Sequence, residues 1–147
     1  MSIDKSMERE WTRESLAALY DQITDRNSDK TDLWRMHSRM ADLATILRTN
    51  EAVEIVYSAT LNIMDRLQPK SSLLVAETII GRLEMKYRGG MIFLAYDLGL
   101  KEIARDLAAI TLKLIDRAMQ EGYDTARCNE ALMNCNRIVE QLKISAS

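Results

Sequence analysis

Few residues in this sequence are of a type that could do chemistry, and the two cysteines are the first to consider. Cys128 and Cys135 are seven residues apart. On one helix this spacing corresponds to about 10.5 Å of rise, whereas the Cα atoms of a disulfide lie within about 7 Å of each other. The two cysteines therefore cannot pair within a helix, and together with a single histidine they do not make up a zinc site. We expect two reduced, buried thiols and neither a metal nor another cofactor.

His37 is the only histidine and lies in the segment Trp34–Ala41 (WRMHSRMA). A histidine on a bundle helix can accept a phosphoryl group, and this segment resembles the His-x-x-Lys-Gly segment of histidine-phosphotransfer domains. Met40 and Ala41 stand here at the lysine and glycine positions of that family. The resemblance implies a signalling function that uses His37, which is the alternative hypothesis. The spacing from Met36 and Met40 predicts instead a residue at the boundary of the core, with no catalytic part.

The sequence contains no other familiar catalytic or nucleotide-binding motif. No Glu-x-x-His pair of a di-iron bundle occurs, and no Gly-x-x-x-x-Gly-Lys, Gly-x-Ser-x-Gly or Gly-x-Gly-x-x-Gly segment. We therefore predict no catalytic residue and no enzyme activity. An enzyme whose site is assembled from distant residues stays a third hypothesis.

The elements that must position these residues are helices. The chain has one proline, Pro69, and five glycines, and these helix breakers stand mostly outside long runs of helix-forming residues. A length of 147 residues suits one domain, and we expect residues 1–5 and 145–147 at its ends to fray. The pattern predicts an all-α, single-domain bundle of six or seven mostly antiparallel helices.

Apolar periodicity, breakers and capping residues predict the helix boundaries. Thr49 is a predicted N-cap, as is Asp124 or Thr125, and Gly122 is a predicted helix end. The inner stripe of the first helix is predicted to contain Trp11, Ser15, Ala18, Leu19, Gln22 and Ile23. The first helix is predicted to run from Ser6 to Thr24, and a loop is predicted at residues 25–30. The second helix is predicted to start near Thr31 or Asp32, and the third to stop before Pro69. The fourth is predicted to end at Arg88 with Gly81 inside it, and a later helix to cover Lys101 to Gln120.

The segment from Met91 to Leu98 (MIFLAYDL) is apolar on nearly every side. A helix with that pattern is buried either within its domain or against a partner. We therefore predict that Met91, Ile92, Phe93 and Tyr96 form a helix-packing or partner-binding surface.

The last helix carries an apolar seam with steps of four and three residues. Such a seam is typical of coiled coils and packs well against its own copy. We predict a homodimer through this seam, and the alternative is that the same side chains pack inside the monomer. The seam consists of Cys128, Leu132, Cys135, Val139 and Leu142.

Charge and hydropathy narrow the class of partner. A net charge of −2 disfavours nucleic acid, whose binding domains usually carry a basic excess. The first ten residues contain no apolar stretch of a secretory signal, and no apolar run approaches the roughly 20 residues that span a bilayer. We expect no membrane partner and a cytoplasmic location. The sequence predicts a non-catalytic cytosolic protein that binds another protein as an adaptor, chaperone or regulator.

Overall fold

The structure is a computed structural model, and it describes residues 5–25, 33–81 and 90–144. Within these ranges the chain forms seven α-helices, one 3-10 turn and no strand. The prediction of an all-α helical bundle is confirmed. The helices are α1 (Lys5–Thr24), α2 (Leu33–Leu47), α3 (Asn50–Ile63), α4 (Pro69–Ile80), α5 (Met91–Asp97), α6 (Lys101–Gln120) and α7 (Thr125–Leu142), and the 3-10 turn Met64–Arg66 follows α3.

Several helices begin and end where capping and breaker residues predicted. Thr49 caps α3, because its side chain accepts a hydrogen bond of 3.1 Å from the backbone N–H three residues on. Asp124 caps α7 in the same way at 3.2 Å. Pro69 is the first residue of α4, and Gly122, with a φ of 73°, follows the last turn of α6. These ends depend on local chemistry, so the sequence alone was sufficient to place them.

The fourth helix is shorter than predicted. α4 ends at Ile80, and Gly81 follows it with a φ of 80°. Gly81 therefore terminates the helix instead of lying inside it, because glycine adopts a positive φ without steric cost. The remainder of the predicted helix at residues 82–88 lies outside the described residues. So do residues 26–30 of the predicted first loop, the predicted start of the second helix and the two predicted frayed ends, except Lys5, which is the first residue of α1.

Gly90 brings the chain back to the end of α4. A Cβ atom on Gly90 would overlap the carbonyl oxygen of Ile79 and the carbonyl carbon of Ile80. The backbone at Gly90 therefore lies directly against the last turn of α4, and the same residue is the N-cap of α5. This contact of backbone with backbone positions α5 against α4, and a residue with a side chain does not fit there.

The helices pack as two groups around one core. α1, α2 and α3 contact one another, and α4, α6 and α7 form the second group, in which α4 packs along α6. α2 contacts α4, and α5 joins the groups because it touches α2, α3, α4 and α6. The buried apolar side chains of both groups form a continuous cluster. A surface that binds a partner must therefore consist of side chains that lie outside this core.

Candidate functional site

His37 is fully buried between α2 and α3. Its side chain is 0% exposed, and its Nε2 lies 2.8 Å from Oγ1 of Thr60. The Thr60 hydroxyl donates its one proton to the carbonyl oxygen of Val56 at 2.7 Å, so it can only accept from the ring. Nε2 therefore carries the ring proton and donates it to Thr60. The prediction of a boundary residue is wrong, because α3 supplies a hydroxyl that lets the imidazole enter the core.

The second ring nitrogen decides what His37 can do chemically. Nδ1 is buried and has no hydrogen-bond partner within the described part of the chain. Desolvation by burial lowers the pKa of His37 from 6.5 to about 4, so the imidazole is neutral at neutral pH. A phosphoacceptor needs a neutral nitrogen that the phosphoryl donor can also reach. The ring meets the first requirement, but a side chain with no exposed surface does not meet the second.

The predicted surface on α5 divides between core and boundary. Met91 and Ile92 are 1% and 0% exposed and belong to the apolar core, so they pack helices together in the folded monomer. Phe93 and Tyr96 are half-buried at its edge. The ammonium group of Lys101 lies over the ring of Tyr96, 5.8 Å from its centroid. Of the four predicted residues of α5, only Phe93 and Tyr96 therefore offer surface to a partner. Their role in binding stays a prediction.

The predicted dimer seam on α7 also faces the monomer core in part. Cys128 and Cys135 are both 0% exposed and unpaired. Burial raises the pKa of both thiols, to about 11 for Cys135, so at neutral pH both are protonated and poor nucleophiles. The other seam residues are half-buried against the same core, and the homodimer stays a prediction that only their exposed edges support. These residues are Leu132, Val139 and Leu142.

Two polar pairs tie neighbouring helices together at the surface of the bundle. Arg127 on α7 donates two hydrogen bonds, of 2.6 and 2.8 Å, to the carboxylate of Glu77 on α4. The Tyr57 hydroxyl on α3 donates to Asp106 on α6 at 2.8 Å. Partial burial, together with this hydrogen bond and the charge of Asp106, raises the pKa of Tyr57 to about 12. Both pairs bridge helices, and we assign them to the packing of the bundle.

α1 presents large apolar side chains to solvent, which the sequence did not predict. Met7 and Trp11 lie one turn apart on α1 and are 61% and 66% exposed. The face of α1 that enters the core contains Thr12, Leu16 and Ile23.

The predicted inner stripe of α1 is correct at Ile23, and at Leu19, which is half-buried against the core. It is wrong at the exposed residues Trp11, Ala18 and Gln22. A signal was present in the sequence, because the spacing of Met7, Trp11 and Ala18 forms a second stripe, on the side of the helix away from Leu16.

The described residues contain no group of three or more His, Cys, Asp or Glu side chains that could hold a metal ion. Among the same residues, no helix combines the length and the apolar character needed to cross a bilayer. Comparison of the chain with known protein families, with curated proteins and with solved structures finds no match.

Proposed function

We propose that this chain is a non-catalytic, cytosolic helical protein that binds another protein, as an adaptor, chaperone or regulator. The observation that carries the proposal is the exposure of Trp11 and Met7 on one face of α1. Tryptophan is among the residues most enriched at the energetic centres of protein interfaces. Single exposed apolar residues are ordinary on soluble proteins, but two large ones on adjacent turns form a contiguous apolar surface.

The alternative function, phosphotransfer through His37, gains no support from the geometry. The imidazole is 0% exposed and its Nε2 is already bonded to Thr60. Access for a phosphoryl donor would require α2 and α3 to separate. We therefore keep the protein-binding proposal alone.

Two further surfaces belong to the proposal as secondary candidates. Phe93 and Tyr96 present their exposed edges beside α5, and the half-buried stripe of α7 is the predicted site of a homodimer. The unpaired, buried thiols of Cys128 and Cys135 are compatible with the reducing conditions of the cytosol.

Site-specific photo-crosslinking in the cells that produce the protein tests the proposal. A benzophenone amino acid is placed at Trp11, at Phe93 or, as the control, at Met133, which is 63% exposed on α7. We expect a cross-link to a specific protein from position 11 or 93 that is absent from position 133 and that purified components reproduce. Full-length, folded variants that give no specific cross-link from either position would contradict the proposed function.

A further inference from the structure

The outward side of α1 combines an apolar centre with a border of a single charge. We call this surface the outer α1 face and define it by seven exposed residues. With about 100° between successive helical residues, Met7 and Ala18 lie within about 40° of Trp11 around the helix axis. Four carboxylates border them, each within about 100° of Trp11 on the same geometry. The face consists of Met7, Trp11 and Ala18 with Glu8, Glu10, Glu14 and Asp21.

Arg9 and Arg13 of α1 point away from this face. Arg9 and Arg13 are each two residues from Trp11, which places them about 200° around the helix. Arg9 is also held by α2, because its guanidinium donates a hydrogen bond of 3.0 Å to the carbonyl oxygen of Leu47. Within the described residues no ion pair neutralises the four carboxylates of the face. The outer α1 face therefore has Met7, Trp11 and Ala18 along its centre, with the uncharged polar residues Ser15 and Gln22 among them, and every charged residue at its edge is acidic.

We propose that the outer α1 face binds a basic amphipathic helix of another protein, with Trp11 packed against the apolar side of that helix. The inference rests on the proposed function and names its surface and the chemistry of its partner. Amphipathic helices bind such surfaces through apolar anchors at i, i+3, i+4 and i+7. Lysine or arginine residues beside those anchors would meet the four carboxylates, and this complementarity would speed association and align the two helices. From Met7 to Ala18 the face is about 16 Å long, which matches three turns of a partner helix.

The four carboxylates of the outer α1 face disfavour the binding of a second copy of the chain, of nucleic acid or of anionic lipid. A second copy of the chain that docked through this face would set carboxylates against carboxylates, and like charges across an interface cost binding energy. Nucleic acid and anionic lipid are repelled for the same reason. A basic segment of a protein is the partner that satisfies both the apolar centre and the acidic border.

A designed peptide tests this binding directly. The probe is a fluorescent helix of leucine and lysine, about 18 residues long, with leucine at i, i+3, i+4 and i+7. In a Trp34→Phe background, tryptophan emission reports on Trp11 alone, since the chain has two tryptophans. We expect the emission to shift to the blue as the peptide covers Trp11, and the affinity to fall as salt is added. Trp11→Ala should weaken binding by about thirtyfold, the loss typical of a central aromatic anchor.

Matched variants separate this surface from non-specific attraction. Glu10→Lys combined with Glu14→Lys should weaken peptide binding at least tenfold, whereas Glu54→Lys, which reverses an exposed charge on α3, should leave it within a factor of two or so. A peptide with glutamate in place of lysine should not bind. The inference is overturned if Trp11→Ala binds the peptide as the wild type does. Two other results also overturn it: an emission shift with phosphatidylglycerol vesicles but not with the peptide, and a dimer that Trp11→Ala dissociates.

The photo-crosslinking experiment distinguishes the failure of this inference from the failure of the proposed function. Specific capture from position 93 and none from position 11 would refute the outer α1 face as the binding site while the protein-binding function stands. Capture from position 11 of a protein whose cross-linked segment is a basic helix supports both.

Discussion

The burial of His37 predicts that the protein loses stability in mild acid. In the unfolded chain this histidine has a pKa of 6.5, and in the folded protein burial lowers its pKa to about 4. Between these values the unfolded state binds a proton that the folded state does not, so acid favours unfolding. The contribution of His37 is therefore complete above pH 6.5 and decreases as the pH falls towards 4.

The magnitude follows from these two pKa values. The free energy of unfolding should decrease by about 2 kcal/mol between pH 7.5 and pH 5, and by about 3 kcal/mol once the pH reaches 4. The total stability of a domain is about 5–15 kcal/mol, so this single imidazole would account for a large fraction of it. The physical cause is desolvation, because a protonated ring would keep its Nε2–H bond to the Thr60 hydroxyl but would place a charge in a core that solvent does not reach. The added proton would lie on Nδ1, for which the described part of the chain offers no hydrogen-bond acceptor.

Urea unfolding of the wild type and of His37→Gln at several pH values, followed by circular dichroism, measures the effect. Glutamine does not titrate, so the stability difference between the two proteins should change by about 2 kcal/mol from pH 7.5 to pH 5. As a second measurement, the proton resonance of the one histidine should show no titration in the folded wild type until about pH 4. A stability difference that does not vary with pH, or a native histidine that titrates near 6.5, would refute the desolvation argument.

Three other predictions concern packing, ionisation and assembly. Gly90→Ala should destabilise the protein by about 3 kcal/mol in urea unfolding, because its Cβ overlaps the backbone of α4. Gly122→Ala should lower the free energy of unfolding by only about 1 kcal/mol, because Gly122 has a φ of 73° but open space for a Cβ atom. An equal loss of stability in the two variants would contradict the close approach of Gly90 to α4. In a spectrophotometric titration of the folded protein, Tyr57→Phe should remove a phenol that ionises near pH 12. This ionisation leaves stability at neutral pH unchanged and lowers it only above pH 10. A homodimer through α7 predicts twice the chain mass of 16.8 kDa in light scattering at micromolar concentration, and the monomer mass would contradict it.

The features that could be predicted from the sequence are the helix ends that neighbouring residues determine. The cap at Thr49, the start of α4 at Pro69 and the end of α6 at Gly122 all follow from the residues beside them. Two misassignments involve contacts beyond the immediate neighbours in the chain. His37 enters the core because Thr60, which is 23 residues away, offers it a hydrogen bond. Gly81 terminates a helix whose apolar pattern predicted continuation, and the chain returns at Gly90 to pack on that helix end.

The misassigned face of α1 has a further reason, which bears on function. α1 carries two apolar stripes, and helical periodicity cannot decide which of them enters the core because both have the same spacing. The stripe through Leu16 and Ile23 packs against α2 and α3, and the stripe through Met7 and Trp11 stays in water. Folding of the monomer alone therefore does not explain why the second stripe is apolar, since its side chains lose little contact with solvent when the chain folds. Binding of another protein would bury those side chains, which is why the proposed function is assigned to this surface.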